Sequence, residues 1–174
     1  MKERLSASKL KSWEQPAAGW VKCNVDAAFY DGTRSAASGA VLRDQDRRTC
    51  GGTAKWYEYC LNVLTAEALA CCDGMTLVRD RGVRRLILET DCQVLVSLWE
   101  NRSHQRSEIS ALLTQMEDFS QSFEEFSFSS ISSCNMLAHA CTRLVSRDYQ
   151  VAEWPLTSSG LMDIINRECN PVID

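Results

Sequence analysis

No apolar run in this sequence approaches the roughly 18 residues that a membrane helix needs, so no membrane span is expected. A signal-peptide core is also missing: Met1 to Trp13 carries four basic residues, Lys2, Arg4, Lys9 and Lys11, with only Leu5 and Leu10 among them. The expectation is an intracellular protein, nuclear or cytoplasmic, and not a secreted one. Positive charge is not in surplus either. A net charge of -4 and a pI near 5.3 exclude a generally basic nucleic-acid binder, so any such contact must come from a local cluster. The nine cysteines form no disulfide framework, being odd in number and scattered from Cys23 to Cys169 with only Cys71 and Cys72 adjacent. They read as reduced thiols that serve mostly as small core hydrophobes. There is no internal repeat and no low-complexity tract. What is present, 45% hydrophobic and 24% charged residues in 174, has the size and composition of one globular α/β domain with its own core.

The patterning divides the chain into a polar linker over 1–19, a domain over 20–148 and a tail over 149–174. From Trp20, the residues Val21, Cys23, Val25, Ala27 and Phe29 alternate with Lys22, Asn24, Asp26, Ala28 and Tyr30, the period of a strand with one polar face. Asp31-Gly32 marks a turn. Ala36 to Leu42 and Thr49 to Trp56, either side of Asp44-Gln45-Asp46, then continue an antiparallel meander. From Leu64 the spacing becomes helical through Ala66, Leu69, Ala70 and Leu77, with Gly82 as a stop. The apolar run Leu86-Ile87-Leu88 suits a buried strand paired in parallel. Two helices follow, one with Val94, Leu95, Leu98 and Trp99 and one with Ile109, Leu112, Leu113 and Met116. Phe126 and Phe128 mark a fifth strand, and Leu137, Ala138, Cys141, Leu144 and Val145 a last helix. The predicted sheet is mixed and five-stranded, three antiparallel strands and then parallel ones, flanked by helices. Leu161 to Ile165 is a candidate for one short helix in the tail.

Three acids stand out against this pattern. Asp26 is mid-strand on the polar face, Glu67 lies in an apolar helix among small neighbours, and Asp91 falls where the buried strand gives way to a helix. Each has an ordinary structural explanation: a polar strand position, a first-turn acid favoured by the helix dipole, and an N-cap. Taken together, they lie where a mixed sheet and its covering helix converge. Carboxylates gathered there repel unless cations intervene. Magnesium or manganese, which favours oxygen ligands and substrate phosphates, suits the cluster, and metal-assisted phosphodiester hydrolysis is the reaction class.

Four segments in order, Trp20 to Phe29, Thr65-Ala66-Glu67-Ala68-Leu69-Ala70, Leu88-Glu89-Thr90-Asp91-Cys92 and Asn135-Met136-Leu137-Ala138-His139-Ala140, resemble the ribonuclease H domains related to those of plant non-LTR retroelements. The resemblance spans about Trp20 to Arg147. It implies a ribonuclease H-like fold and cleavage of the RNA strand of RNA–DNA hybrids, with Asp26, Glu67 and Asp91 as metal ligands. It also places His139 in the site, at the position where the wider family carries a fourth acid. Neutral imidazole suits softer metals than magnesium, so weaker binding of a second ion is expected. Three further departures bear on affinity. Ser132-Ser133-Cys134 stands where relatives often carry an arginine, and Ala27 stands where many carry glycine. The connection from Trp99 to Glu108 is too short for the basic protrusion that some relatives use to hold hybrids. Asn24, Ser38, Asn62 and Asn135 are candidate substrate contacts, the first three to 2′-hydroxyls. Arg79, Arg81, Arg84 and Arg85 form the one dense basic cluster, available to phosphate or simply solvated. Two other readings compete. One is a ribonuclease H-like module that binds nucleic acid or protein without cleavage. The other, ranked lower, is a cysteine hydrolase pairing one of the nine thiols with His104 or His139, where no spacing selects a pair, or a zinc site on Cys71-Cys72 and Cys134 with His139, which lack paired ligand spacing.

Overall fold

The computed structural model describes residues 13–104, 106–131 and 135–154. Its elements run β1 (Val21–Tyr30), β2 (Ser35–Arg43), β3 (Thr49–Tyr57), α1 (Val63–Asp80), β4 (Arg85–Thr90), α2 (Gln93–Glu100), α3 (Ser110–Ser120), β5 (Glu125–Ser130), α4 (Met136–Thr142) and β6 (Val151–Trp154). The sheet order is β5-β4-β1-β2-β3-β6. β1, β2 and β3 form the antiparallel meander, while β4 pairs in parallel with both β1 and β5. The expected mixed α/β fold is therefore present, with a correction: the sheet has six strands, not five. The sixth, β6, pairs antiparallel to β3 and comes from the segment expected to be tail. The candidate helix at Leu161 to Ile165 lies outside the described residues.

The two faces of the sheet are covered unequally. One face carries Cys23, Val25, Ala40, Leu42, Leu86 and Leu88 beneath α1, α2 and α3, and this is the main core. The other carries Ala37, Val41 and Ala54 beneath Leu137 and Cys141 of α4, with Val145 and Trp154. Being central, β1 is buried on both sides, so its polar alternation does not face water: Lys22, Asn24 and Asp26 are all buried. Ala27 lies on the main-core side, where its methyl packs against that core. Nor is the N-terminal segment only a linker, because Trp13 is buried against the sheet.

Two glycines set how closely the helices approach. A Cβ on Gly74 of α1 would meet Val25 Cγ1 at 2.7 Å and Cys23 Sγ at 2.9 Å, so α1 lies directly on β1. A Cβ on Gly39 of β2 would collide with the Ala138 carbonyl oxygen and lie 3.0 Å from Cys141 Cβ and Thr142 N. Because Gly39 pairs with Asp26, it is what lets α4 come down beside that carboxylate. Gly39→Ala is expected to push α4 outward and cost about 2 kcal/mol, a typical overpacking penalty. Chemical denaturation checks this, and an unchanged unfolding free energy would contradict the close approach.

Candidate metal centre

The ladder between β1 and β4 runs from Val21↔Leu86 to Asn24↔Glu89 and stops there. Asp26 and Asp91 each lie two residues beyond that last pair, on the same side of their strands by the two-residue period. Their side chains therefore meet where the strands part. Glu67 reaches the same place from above. It shares a helical stripe with Cys71, Gly74 and Val78, the stripe that α1 presses onto the sheet. The axial position and rotation of α1 are held by Asp73, whose carboxylate accepts from Ser38 Oγ at 2.6 Å, Lys55 Nζ at 2.7 Å and Tyr57 Oη at 2.6 Å. The three acids each offer an oxygen, and those atoms lie within 4.8 Å of one another.

The ordinary explanations of these acids do not hold. Cys92, not Asp91, occupies the N-cap of α2 and makes no side-chain cap bond, and Glu67 falls beyond the first turn of α1. Instead the site shows the electrostatic strain of gathered anions. Burial, and then the charges of Asp26 and Asp91, push the Glu67 carboxyl up to about 8, against a smaller opposing hydrogen bond from Thr90. Burial also raises Asp26, with Asp91 adding to the effect and His139 opposing it. Glu67 Oε2 is buried without a hydrogen-bond partner among the described residues. Hard oxygen donors, an orphaned buried carboxylate oxygen and mutual repulsion together fit a divalent cation.

α4 completes the site. Asn135, just ahead of the helix, donates from Nδ2 to the Val25 carbonyl at 2.8 Å, which ties α4 to β1 one residue before Asp26. One helical turn on, His139 Nδ1 lies 2.7 Å from Asp26 Oδ2, with the imidazole 55% exposed. His139 thus occupies the rim of the cluster through Asp26 and does not itself join the three-carboxylate group. Asn135 is a structural tie in the first instance, with only its Oδ1 unpartnered.

The other candidate contacts are elsewhere. Asn24 has no accessible surface; its Nδ2 donates to Glu89 and its Oδ1 accepts from Trp13 and Arg43, so it is not positioned for a 2′-hydroxyl. Ser38 is buried on Asp73. Asn62 is the N-cap of α1, with Oδ1 accepting from Thr65 and Nδ2 donating to Glu108. The arginine cluster is engaged with the protein: Arg79 with Asp80 and the Phe119 ring, Arg81 with the Cys50 and Trp154 carbonyls, Arg84 with Glu124 and Arg85 with Glu125. It also lies at the far end of α1, some 14 residues or about 20 Å of helix from Glu67. His104 is on the surface beside Ser103 Oγ, and among the described residues no cysteine joins a metal-binding group. Ser132-Ser133-Cys134 lies outside the described residues. Sequence reasoning passes over Glu89, Lys22, Arg43 and Asp73, four buried charged residues. The only available signal is that charged side chains stand at positions whose neighbours are otherwise core.

A model of the reverse transcriptase-like family matches residues 24–145, which contain Asp26, Glu67, Asp91 and His139. The chain belongs to this family. Solved structures agree on a ribonuclease H-like fold for this reverse transcriptase-like domain. It is similar to the ribonuclease H1 of the halophilic archaeon Halobacterium salinarum, with a TM-score of 0.64 at 18% identity over 71% of this chain and 94% of that one. The N-terminal ribonuclease H domain of a Mycobacterium tuberculosis protein is also similar, with a TM-score of 0.62 at 15% identity over 72% and 94%. A third, LC11 ribonuclease H1 from compost, solved with an RNA/DNA hybrid, has a TM-score of 0.62 at 12% identity over 70% and 92%. A search of curated protein sequences finds no match.

Proposed function

We propose that this domain hydrolyses the RNA strand of RNA–DNA hybrids endonucleolytically, using magnesium or manganese held by Asp26, Glu67 and Asp91. The observation that carries the reading is the convergence of three carboxylates from β1, α1 and the end of β4 within 4.8 Å, with a buried oxygen of Glu67 left unpartnered. The fold it shares with a ribonuclease H solved on a hybrid supports the substrate class.

A bound divalent ion would supply a water activated for attack on phosphorus and neutralise charge on the leaving oxygen. The chain's own groups do the rest. Asp26 keeps one oxygen on His139 and has the other to offer, Glu67 is held in place by the packing of α1, and Asp91 stands exposed at the mouth. His139, with Nδ1 on Asp26 and the ring half exposed, orients that carboxylate from the rim of the cluster. The experiment is cleavage of a uniform hybrid with magnesium, with manganese and with chelator, using duplex DNA as control. Metal-dependent cleavage of the hybrid alone is expected, and cleavage that persists in chelator would overturn the reading.

Binding without cleavage is a second reading. The internal pairing of the arginine cluster favours its protein-binding form, since a nuclease and a nucleic-acid-binding module both need a cationic surface to hold their ligand. Carboxylate-dependent metal binding separates the two, because a degenerate module has none. His139→Asp tests the effect of the fourth position. An added hard anionic oxygen donor is expected to tighten magnesium binding on the order of tenfold. Calorimetry showing equal or weaker binding would contradict that.

A further inference from the structure

Directly behind the metal centre lies a buried polar assembly that no step of the proposed reaction uses. Glu89 of β4 accepts from Lys22 Nζ at 2.9 Å on one oxygen and from Asn24 Nδ2 at 2.8 Å on the other. Both donors are on β1. Asn24 Oδ1 in turn accepts from Arg43 Nη2 at 3.1 Å and from Trp13 Nε1 at 3.3 Å, and Lys22 Nζ also donates to the Glu14 carbonyl at 2.7 Å. The Trp13 ring closes the assembly, with the Arg43 guanidinium 4.5 Å and Lys22 Nζ 5.4 Å from its centroid. Glu89, Lys22 and Trp13 are less than a tenth exposed, and Asn24 and Arg43 are fully buried. Desolvating so many charged groups is costly, and an apolar β1–β4 seam would stabilise the fold at least as well. The arrangement gains geometry instead. A one-residue slip of β1 against β4 would break both bonds to Glu89, so the register is fixed by side chains as well as by the ladder.

That register is what the metal site depends on. Asn24 and Glu89 are the last paired residues of β1 and β4, and Asp26 and Asp91 follow each by two. We propose that Glu89 is a positioning residue: by clamping Lys22 and Asn24 it sets the separation at which Asp26 and Asp91 present their carboxylates to metal. The proposal rests on the metal-site reading above. It also extends the functional unit beyond the family match, which begins at residue 24, to Lys22 and to the Trp13 and Glu14 that cover it.

The test is manganese binding by calorimetry on the full chain, alongside its melting temperature without metal. Two variants are compared with the parent and with Asp26→Asn. Glu89→Gln keeps the shape but loses the ion pair. The double variant Lys22→Met with Glu89→Met removes one charge of each sign, so net charge is unchanged, and apolar isosteres commonly preserve stability at such a pair. Loss of a partner that orients metal ligands costs 10–100-fold in affinity or activity. Both variants are therefore expected to bind manganese roughly tenfold more weakly, with the double variant folded but melting below the parent, because buried Asn24 Nδ2 loses its acceptor. In cleavage, kcat is expected to fall by a similar factor with KM for hybrid unchanged.

A folded double variant that binds manganese as tightly as the parent overturns the positioning role and leaves the metal site standing. A parent with no Asp26-dependent manganese binding overturns the metal site, and this inference with it. Should the double variant not fold, Glu89→Gln decides at high salt, where long-range charge effects are screened. Weaker binding there supports the clamp, and unchanged binding overturns it.

Discussion

Asp26→Asn is expected to lower metal-dependent cleavage of RNA–DNA hybrid on the order of 10³-fold. Metal ligation in such a site stabilises transition-state charge by several kcal/mol, and each 1.36 kcal/mol is a factor of ten. Asparagine keeps the size of the side chain and can still meet His139 Nδ1, so the substitution removes charge and ligand strength with little loss of packing. The metal-free variant should be no less stable than the parent, because Asp26 contributes to the repulsion that raises Glu67. Activity and stability thus move independently, which separates a lost ligand from a lost fold. Equal residual cleavage by the two proteins would defeat the catalytic assignment.

The second large effect concerns stability without metal. The Glu67 carboxyl is raised from 4.5 to about 8 in the folded protein, chiefly by burial and then by Asp26 and Asp91. A carboxyl with a raised folded-state pKa binds its proton more tightly when folded than when unfolded. Its stabilising contribution is complete below pH 4.5 and is lost as pH rises through about 8. At 1.36 kcal/mol per unit, the loss is at most about 5 kcal/mol. Urea denaturation of the metal-free protein is expected to show stability falling from pH 5 to pH 8, Glu67→Gln to flatten that fall, and added manganese to restore the parent at pH 8 by binding only the folded state. A parent whose metal-free stability is level across that range would contradict the strained cluster.

The order of elements was legible because local patterns carry it. The two-residue alternation of β1, the apolar Leu86-Ile87-Leu88 of β4 and the helical spacing of α1 each survive folding unchanged. The three acids were legible for a related reason: a charged side chain in an otherwise apolar element stands out without knowledge of its partners. Asn24 and Ser38 show where this fails. As polar residues on strands they read as available to substrate, yet one bonds to Glu89, 65 residues on, and the other to Asp73, 35 residues on. Long-range pairing decides whether a polar group faces water or a neighbour, and alternation alone does not encode it. β6 escapes notice because Val151 to Trp154 is only four residues long and lies among polar neighbours. Its strand character comes from docking against β3. The role of His139 was half visible: its place in the last helix is local, but its bond to Asp26 requires the close approach that Gly39 permits.

The docking of β6 also bears on solubility. Gly52, Thr53, Ala54 and Lys55 of β3 pair on their outer side with Trp154, Glu153, Ala152 and Val151, and the Trp154 ring lies over Gly52. A chain that keeps its N-terminal side but stops at residue 145, where the family match ends, would bare this row of small, weakly charged residues as an open ladder of amide and carbonyl groups, the kind of surface that recruits strands from other molecules. Such a fragment should keep its three carboxylates and self-associate.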